Sequence, residues 1–170
     1  GIVVLTNTEN GGGGLFSAVS NTIADSYLGL DNFGWTDKIN DRMTQQRSAG
    51  DEVTKKVWEK VESAKNVKIR NEDYIGIYQD KWFGKVEVFE KGQQLWFKCQ
   101  RSPKLNGPMA FYNANTFAIK WEYQDMNCDA LAMFALDENG KAQSIKMKGI
   151  SPNIDFSFDF QDLDLQRVSK

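Results

Sequence analysis

The stretch Ala130-Leu-Ala-Met-Phe-Ala-Leu136, Asp137-Glu138-Asn139-Gly140, Lys141, Ala142-Gln-Ser-Ile-Lys-Met-Lys148 decides how this chain folds. Two apolar-rich runs flank a short link that ends in Asn-Gly. That dipeptide tolerates the positive φ angles of tight hairpin turns, so the runs read as two antiparallel strands. The same grammar recurs on both sides. Short runs at 75–78, 84–90, 94–99, 109–112, 116–123, 130–136, 142–148 and 154–160 are separated by Glu90-Lys-Gly-Gln93, Lys104-Leu-Asn-Gly107 and Tyr112-Asn-Ala-Asn115. Eight strands joined this way form a meander, and closing it on itself removes both exposed edges. The expected fold is therefore mainly β within an α+β class. A small eight-stranded up-and-down barrel of lipocalin or streptavidin type is favoured, with a two-sheet sandwich as the alternative.

Upstream of residue 74 the pattern changes. Ile2-Val-Val-Leu5-Thr6 is β-branched and apolar throughout, as in a strand covered on both faces. Asn7 to Asn10 and Gly11 to Gly14 read as a flexible loop. Leu15, Val19, Ile23 and Tyr27 then recur every fourth residue, an apolar helical stripe stopped by Gly29. Trp35, Ile39 and Met43 begin a second helical segment, with a break expected near Ser48-Ala49-Gly50. Asp51 would cap a further helix with Val53, Val57, Trp58, Val61 and Ala64 inward. The expected organisation is an N-terminal piece at 1–34, a helical linker at 35–73 and the barrel at 74–170. Because Gly1 is followed at once by a buried-type strand, the chain reads as a piece of a longer protein.

Composition narrows the function. Of the 170 residues 41% are hydrophobic and 26% charged, with a formal net charge of -2, so no general basic field draws in nucleic acid. No apolar run approaches the ~20 residues of a membrane-spanning helix. There is no histidine, which removes Ser-His, Cys-His and His-ligated metal chemistry from this chain. Cys99 and Cys128 are too few for a structural zinc site and stand either as two thiols or as one disulfide.

The motifs that resemble chemical sites have simpler readings. Gly11 to Gly14 follow an apolar run and precede a helix, but Phe16 and Ser17 stand where a dinucleotide-binding fingerprint needs glycine, and no Gly-Lys-Ser/Thr follows. Asp137-x-Asn139-Gly140 starts like a calcium loop without its distal carboxylates. Asp155, Asp159, Asp162 and Asp164 alternate with Phe156, Phe158 and Phe160, as on a strand with a wet outer face. Nothing singles out a carboxylate pair for glycoside hydrolysis. No cofactor or metal is expected, and no residue is assigned a catalytic role.

The aromatics carry the remaining signal. Of 21 phenylalanine, tryptophan and tyrosine residues, all but Phe16, Tyr27, Phe33, Trp35 and Trp58 fall after residue 73. They would fill a small barrel or line a cavity. Adjacent pairs such as Trp82-Phe83 and Trp96-Phe97 put one ring inside and one outside. The candidates for contact with a ligand or partner are Trp82, Phe83, Trp96, Tyr112 and Trp121.

Several motifs, taken in order, resemble a known family. They are Tyr74-Ile-Gly-Ile-Tyr78, Trp82-Phe-Gly-Lys-Val-Glu-Val88, Gly92-x-x-Leu95, Thr116-Phe117 and Asp137-x-x-Gly140-Lys141. Together they resemble the small domain of unknown function at the C-terminal end of serine β-lactamase-like and penicillin-binding-like proteins. Gly1-Ile-Val-Val-Leu-Thr-Asn7 is similar to the last core strand of the preceding hydrolase domain, with Leu15 to Gly29 as its closing helix. The hydrolase chemistry does not come with the resemblance. No serine here is followed by lysine three residues later, Lys-Thr-Gly is absent, and Ser151-Pro152-Asn153 stands alone in a barrel connection.

The resemblance implies a non-catalytic accessory domain in a periplasmic or secreted serine hydrolase. Its partners would be the absent hydrolase domain and a peptide or cell-wall fragment. A free-standing small-ligand carrier is the alternative. Separated from a hydrolase sheet, Ile2 to Leu5 would be left with unpaired backbone groups, so a homodimer through this strand is also expected.

Overall fold

The computed structural model describes residues 1–8, 11–125, 127–155 and 157–169. Glu9 and Asn10 of the expected glycine-rich loop, and Phe156 of the expected last strand, lie outside them. The chain divides into two compact units, Gly1–Ala49 and Gly50–Lys170.

In the first unit, helix α1 runs Gly12–Tyr27 and ends in a Schellman motif. Gly29 turns left-handed at φ +68°, its N–H reaches Ser26 O at 3.2 Å, and Leu30 N–H reaches Asp25 O at 2.9 Å. Two expectations fail here. Residues 1–8 form no strand, and Val3 and Leu5 are 83% and 92% exposed: an apolar run becomes a strand only where a neighbouring strand takes up its backbone groups. Gly12 to Gly14 are helical rather than looped. A Cβ on Gly14 would run into Met43 and Ile39, so this glycine admits a close approach of helices. Trp35 Nε1–H donates to Asp25 Oδ2 at 2.6 Å.

Helix α2 is continuous over Trp35–Ser63, without the expected break at Ser48-Ala49-Gly50. One glycine inside a helix costs only about 1 kcal/mol, less than the packing it permits. Gly50 is buried against the side-chain amide of Asn153. Val57, Trp58 and Val61 pack outside the sheet on Tyr112, Ala118, Leu131 and Ile150, whereas Val53, placed on the same inner face, is 43% exposed.

The second unit contains the closed barrel. Its strands are β1 (Gly76–Asp80), β2 (Gly84–Lys91), β3 (Gln94–Cys99), β4 (Asn106–Asn113), β5 (Thr116–Ile119), β6 (Ala130–Leu136), β7 (Ala142–Gly149) and β8 (Leu165–Ser169). Each pairs antiparallel with its chain neighbours, and β8 closes onto β1. Strand alternation supplies the interior: Val86 and Val88 on β2 oppose Cys99 and Phe97 on β3. The inward side chains form one buried apolar cluster. Tyr74, Phe117 and Phe134 meet edge to face at 4.8 to 5.6 Å, and Phe97 meets Trp121 at 5.8 Å.

The sequence pattern places two strands wrongly. The last strand is Leu165–Ser169, not 154–160; the described residues of 154–160 are in no strand, and a short 3-10 helix runs Phe160–Asp162. Asp155 Oδ1 accepts the Ser157 N–H at 2.9 Å, a local bond that competes with strand pairing. The fifth strand ends at Ile119 rather than 123. Trp121 turns inward there, its Nε1–H donating to Cys128 O at 2.7 Å.

Candidate functional site

Meander topology sorts the connections. Those after odd-numbered strands share one end of the barrel and those after even-numbered strands share the other. The even end carries tight turns through Gly92, Ala114 and Gly140. The odd end carries the described residues of the connections 81–83, 100–105, 120–129 and 150–164, the last three of which are longer than any even-end link.

Local hydrogen bonding fixes that surface. Asp80 Oδ1 accepts the N–H groups of Trp82 and Phe83, both at 2.7 Å, and Oδ2 accepts the Asp164 N–H at 2.9 Å. One carboxylate thus ties the 81–83 turn to the approach to β8. Burial pushes the Asp80 carboxyl upward, but the three backbone donors outweigh it and hold the group below its ordinary value. Arg101 Nη1 donates to Trp82 O at 2.9 Å. Phe160 closes the barrel mouth, its ring stacked on Trp121 at 6.1 Å.

Above this floor lies a cleft of about 470 Å³ lined almost entirely by carbon, from Ser102, Pro103, Lys104, Leu105, Tyr123, Cys128 and Phe158. A smaller hollow of about 120 Å³ adjoins it across Ser102, Leu105 and Phe158 and includes Trp82 and Phe83. Lys104 Nζ stands over the Tyr123 ring at 4.0 Å. Both cysteines are free thiols. Burial raises Cys99 to about 12; burial, then the charge of Asp129, raises Cys128 to about 11. At neutral pH the Cys128 thiol is protonated and unfit as a nucleophile.

The structure disperses the aromatic candidates. Trp82 is 65% exposed and borders the smaller hollow beside Phe83. Trp96 stands on the outer wall against Phe89, under Lys91 Nζ at 4.0 Å. Tyr112 lies beneath α2, and Trp121 is enclosed in the core. Sequence reasoning did not assemble the cleft residues 102–105, Tyr123, Cys128 and Phe158. The signal available was connection parity, because the longer links all follow odd-numbered strands.

Residues 65–167 match the family model described as a domain of unknown function, DUF3471. The chain belongs to the DUF3471 family. No curated protein and no solved structure matches it. In this DUF3471 domain the match takes in all of the cleft and ends on β8 at Arg167. No helix among the described residues is long and apolar enough to cross a membrane.

Proposed function

We propose that the DUF3471 barrel is a non-catalytic accessory domain of a penicillin-binding or β-lactamase-like serine hydrolase, periplasmic or secreted. It packs beside the catalytic domain and adjusts how substrate reaches it, or holds a peptide or cell-wall fragment for it. One observation carries the reading: the barrel's inward side chains form one buried apolar cluster, while the open surface lies in the loops of one end, with Trp82 exposed beside a carbon-lined cleft. Such a domain works through its exterior. The motif order from Tyr74 to Lys141 and the resemblance of residues 1–7 to a hydrolase strand support the choice of partner.

The test starts from the coding sequence that carries this chain. Ser-x-x-Lys and Lys-Thr-Gly are expected upstream of Gly1. The encoded hydrolase should then lose or gain at least about threefold in kcat/KM on its physiological substrates when residues 65–167 are deleted. Equal kcat/KM with and without the domain, or the absence of both motifs, overturns the proposal. A carrier would need ~300 Å³ or more for a drug-sized ligand, and the cluster of buried inward side chains weighs against placing it inside the barrel.

A further inference from the structure

We infer that the cleft at the odd end of the barrel binds a small carbon-rich carboxylate. Its aliphatic or aromatic body would lie against Leu105, Tyr123 and Phe158, and its carboxylate on Lys104. The inference needs no hydrolase and stands apart from the accessory reading. Three observations carry it. The cleft, about 470 Å³, falls within the range of sites that enclose a small ligand. Its wall is almost all carbon, so any occupant must present apolar surface to it, and water there gains few hydrogen bonds. The charged residue lining it is Lys104, held over Tyr123 at 4.0 Å. Among the described residues no carboxylate lies within ion-pair distance of that ammonium. A cation seated on a ring and, among the described residues, without a carboxylate beside it suits an amphipathic monoanion at the rim of an apolar hollow: the ring fixes the ammonium and the anion completes it.

The ligand class has a graded signature. Each methylene buried against the wall should raise affinity about threefold to fourfold. The exposed ion pair should add up to about fivefold. The probes are hexanoate, octanoate and heptanol, titrated into the full chain and followed by calorimetry and by amide shifts in 1H–15N spectra. Octanoate should bind about tenfold tighter than hexanoate and up to about fivefold tighter than heptanol, which carries the same alkyl body without the carboxylate. Shifts should centre on Leu105, Tyr123 and Phe158. Lys104→Met should erase the difference between octanoate and heptanol while keeping the chain-length dependence. Ser102→Trp, which places an indole in the cleft, should abolish binding of all three. No octanoate binding at millimolar concentration overturns the inference. So do shifts centred elsewhere, or octanoate affinity unchanged in Lys104→Met. The shift map on the unmodified chain decides the matter even if Ser102→Trp does not fold.

Discussion

Arg167 on β8 donates from Nη2 to the Tyr78 hydroxyl on β1 at 2.9 Å, and Tyr78 passes its own proton to Tyr74 O at 2.7 Å. The same guanidinium reaches Ile75 O at 2.9 Å, Asp73 O at 3.3 Å and Ala142 O on β7. Its carbon lies 5.1 Å from the Tyr78 ring centroid. This is where the barrel closes. Among the described residues strand β8 meets β7 at two positions and β1 at three, with an irregularity between Ile77 and Tyr78. One side chain supplies bonds that the strands do not.

Arg167→Met should therefore destabilise the barrel by about 2–4 kcal/mol, since it strands several partly buried acceptors at once. Arg167→Lys should recover little, because an ammonium cannot reach the same fork of acceptors. Tyr78→Phe should cost about 1–2 kcal/mol. Urea unfolding of both single variants and the double variant measures the coupling. Strictly additive losses would show that the two side chains do not act together.

Asp80 organises the opposite end, and its contribution depends on acid. Its folded pKa lies below the ordinary 3.8, so its stabilisation is fully present above that value and disappears as pH falls through the folded value. Asp80→Ala, by leaving three backbone donors without their acceptor, should cost about 2 kcal/mol at pH 7. The penalty should shrink below pH 4. A denaturation series from pH 7 to pH 3 tests both halves. A mutational cost that stays constant across the series would mean that the carboxylate charge is irrelevant.

The contrast between Arg167 and the hairpin at residue 140 explains what could be read in advance. Asn139-Gly140 announces its turn locally: Asp137 Oδ1 accepts the N–H groups of Asn139 and Lys141, both at 2.9 Å. Such signals yield strands β2, β3, β6 and β7 almost to the residue. Arg167 looks like an exposed charge in a polar tail, and its partners lie between 25 and 94 residues away in the chain. The last strand was misplaced for the same reason. Phenylalanine alternating with aspartate around Phe158 mimics a strand, yet what aligns Leu165–Ser169 is closure on β1, a long-range pairing. Of the site, the exposed Trp82 was legible as half of an adjacent aromatic pair. The cleft was not, because its wall draws on three connections that meet only when the barrel closes.

Two glycines separate what a helix prefers from what packing allows. By propensity alone Gly50→Ala should stabilise α2 by about 1 kcal/mol. The added Cβ would instead meet the Asn153 amide, the far end of an exposed side chain that must shift, so the gain should be offset and the net change should stay within about 1 kcal/mol. Gly107 on β4 is stricter. Its Cβ would strike the Lys120 carbonyl and the Trp121 Cα, which are backbone and cannot swing aside. Gly107→Ala should cost at least about 3 kcal/mol or prevent folding. Thermal unfolding ranks the two, and a Gly107→Ala barrel as stable as Gly50→Ala would refute the packing argument.

The two thiols report on the same closure from inside. Cys99 and Cys128 are each 2% exposed, and burial lifts them to about 12 and about 11 from an ordinary 9.0. Because the folded values are raised, the thiols favour the native state fully below pH 9, and that contribution is lost as pH rises toward 11 and 12. Under native conditions at pH 8 neither should react with a disulfide reagent such as Ellman's on the timescale of mixing, whereas both should react in urea. Reaction then proceeds only through opening, so its rate gives the free energy of exposing β3 and the 120–129 connection separately. Cys128, which lines the cleft, should be the first to react and should slow further when octanoate occupies it. Immediate labelling of both thiols in the folded chain would show that the barrel does not close around them.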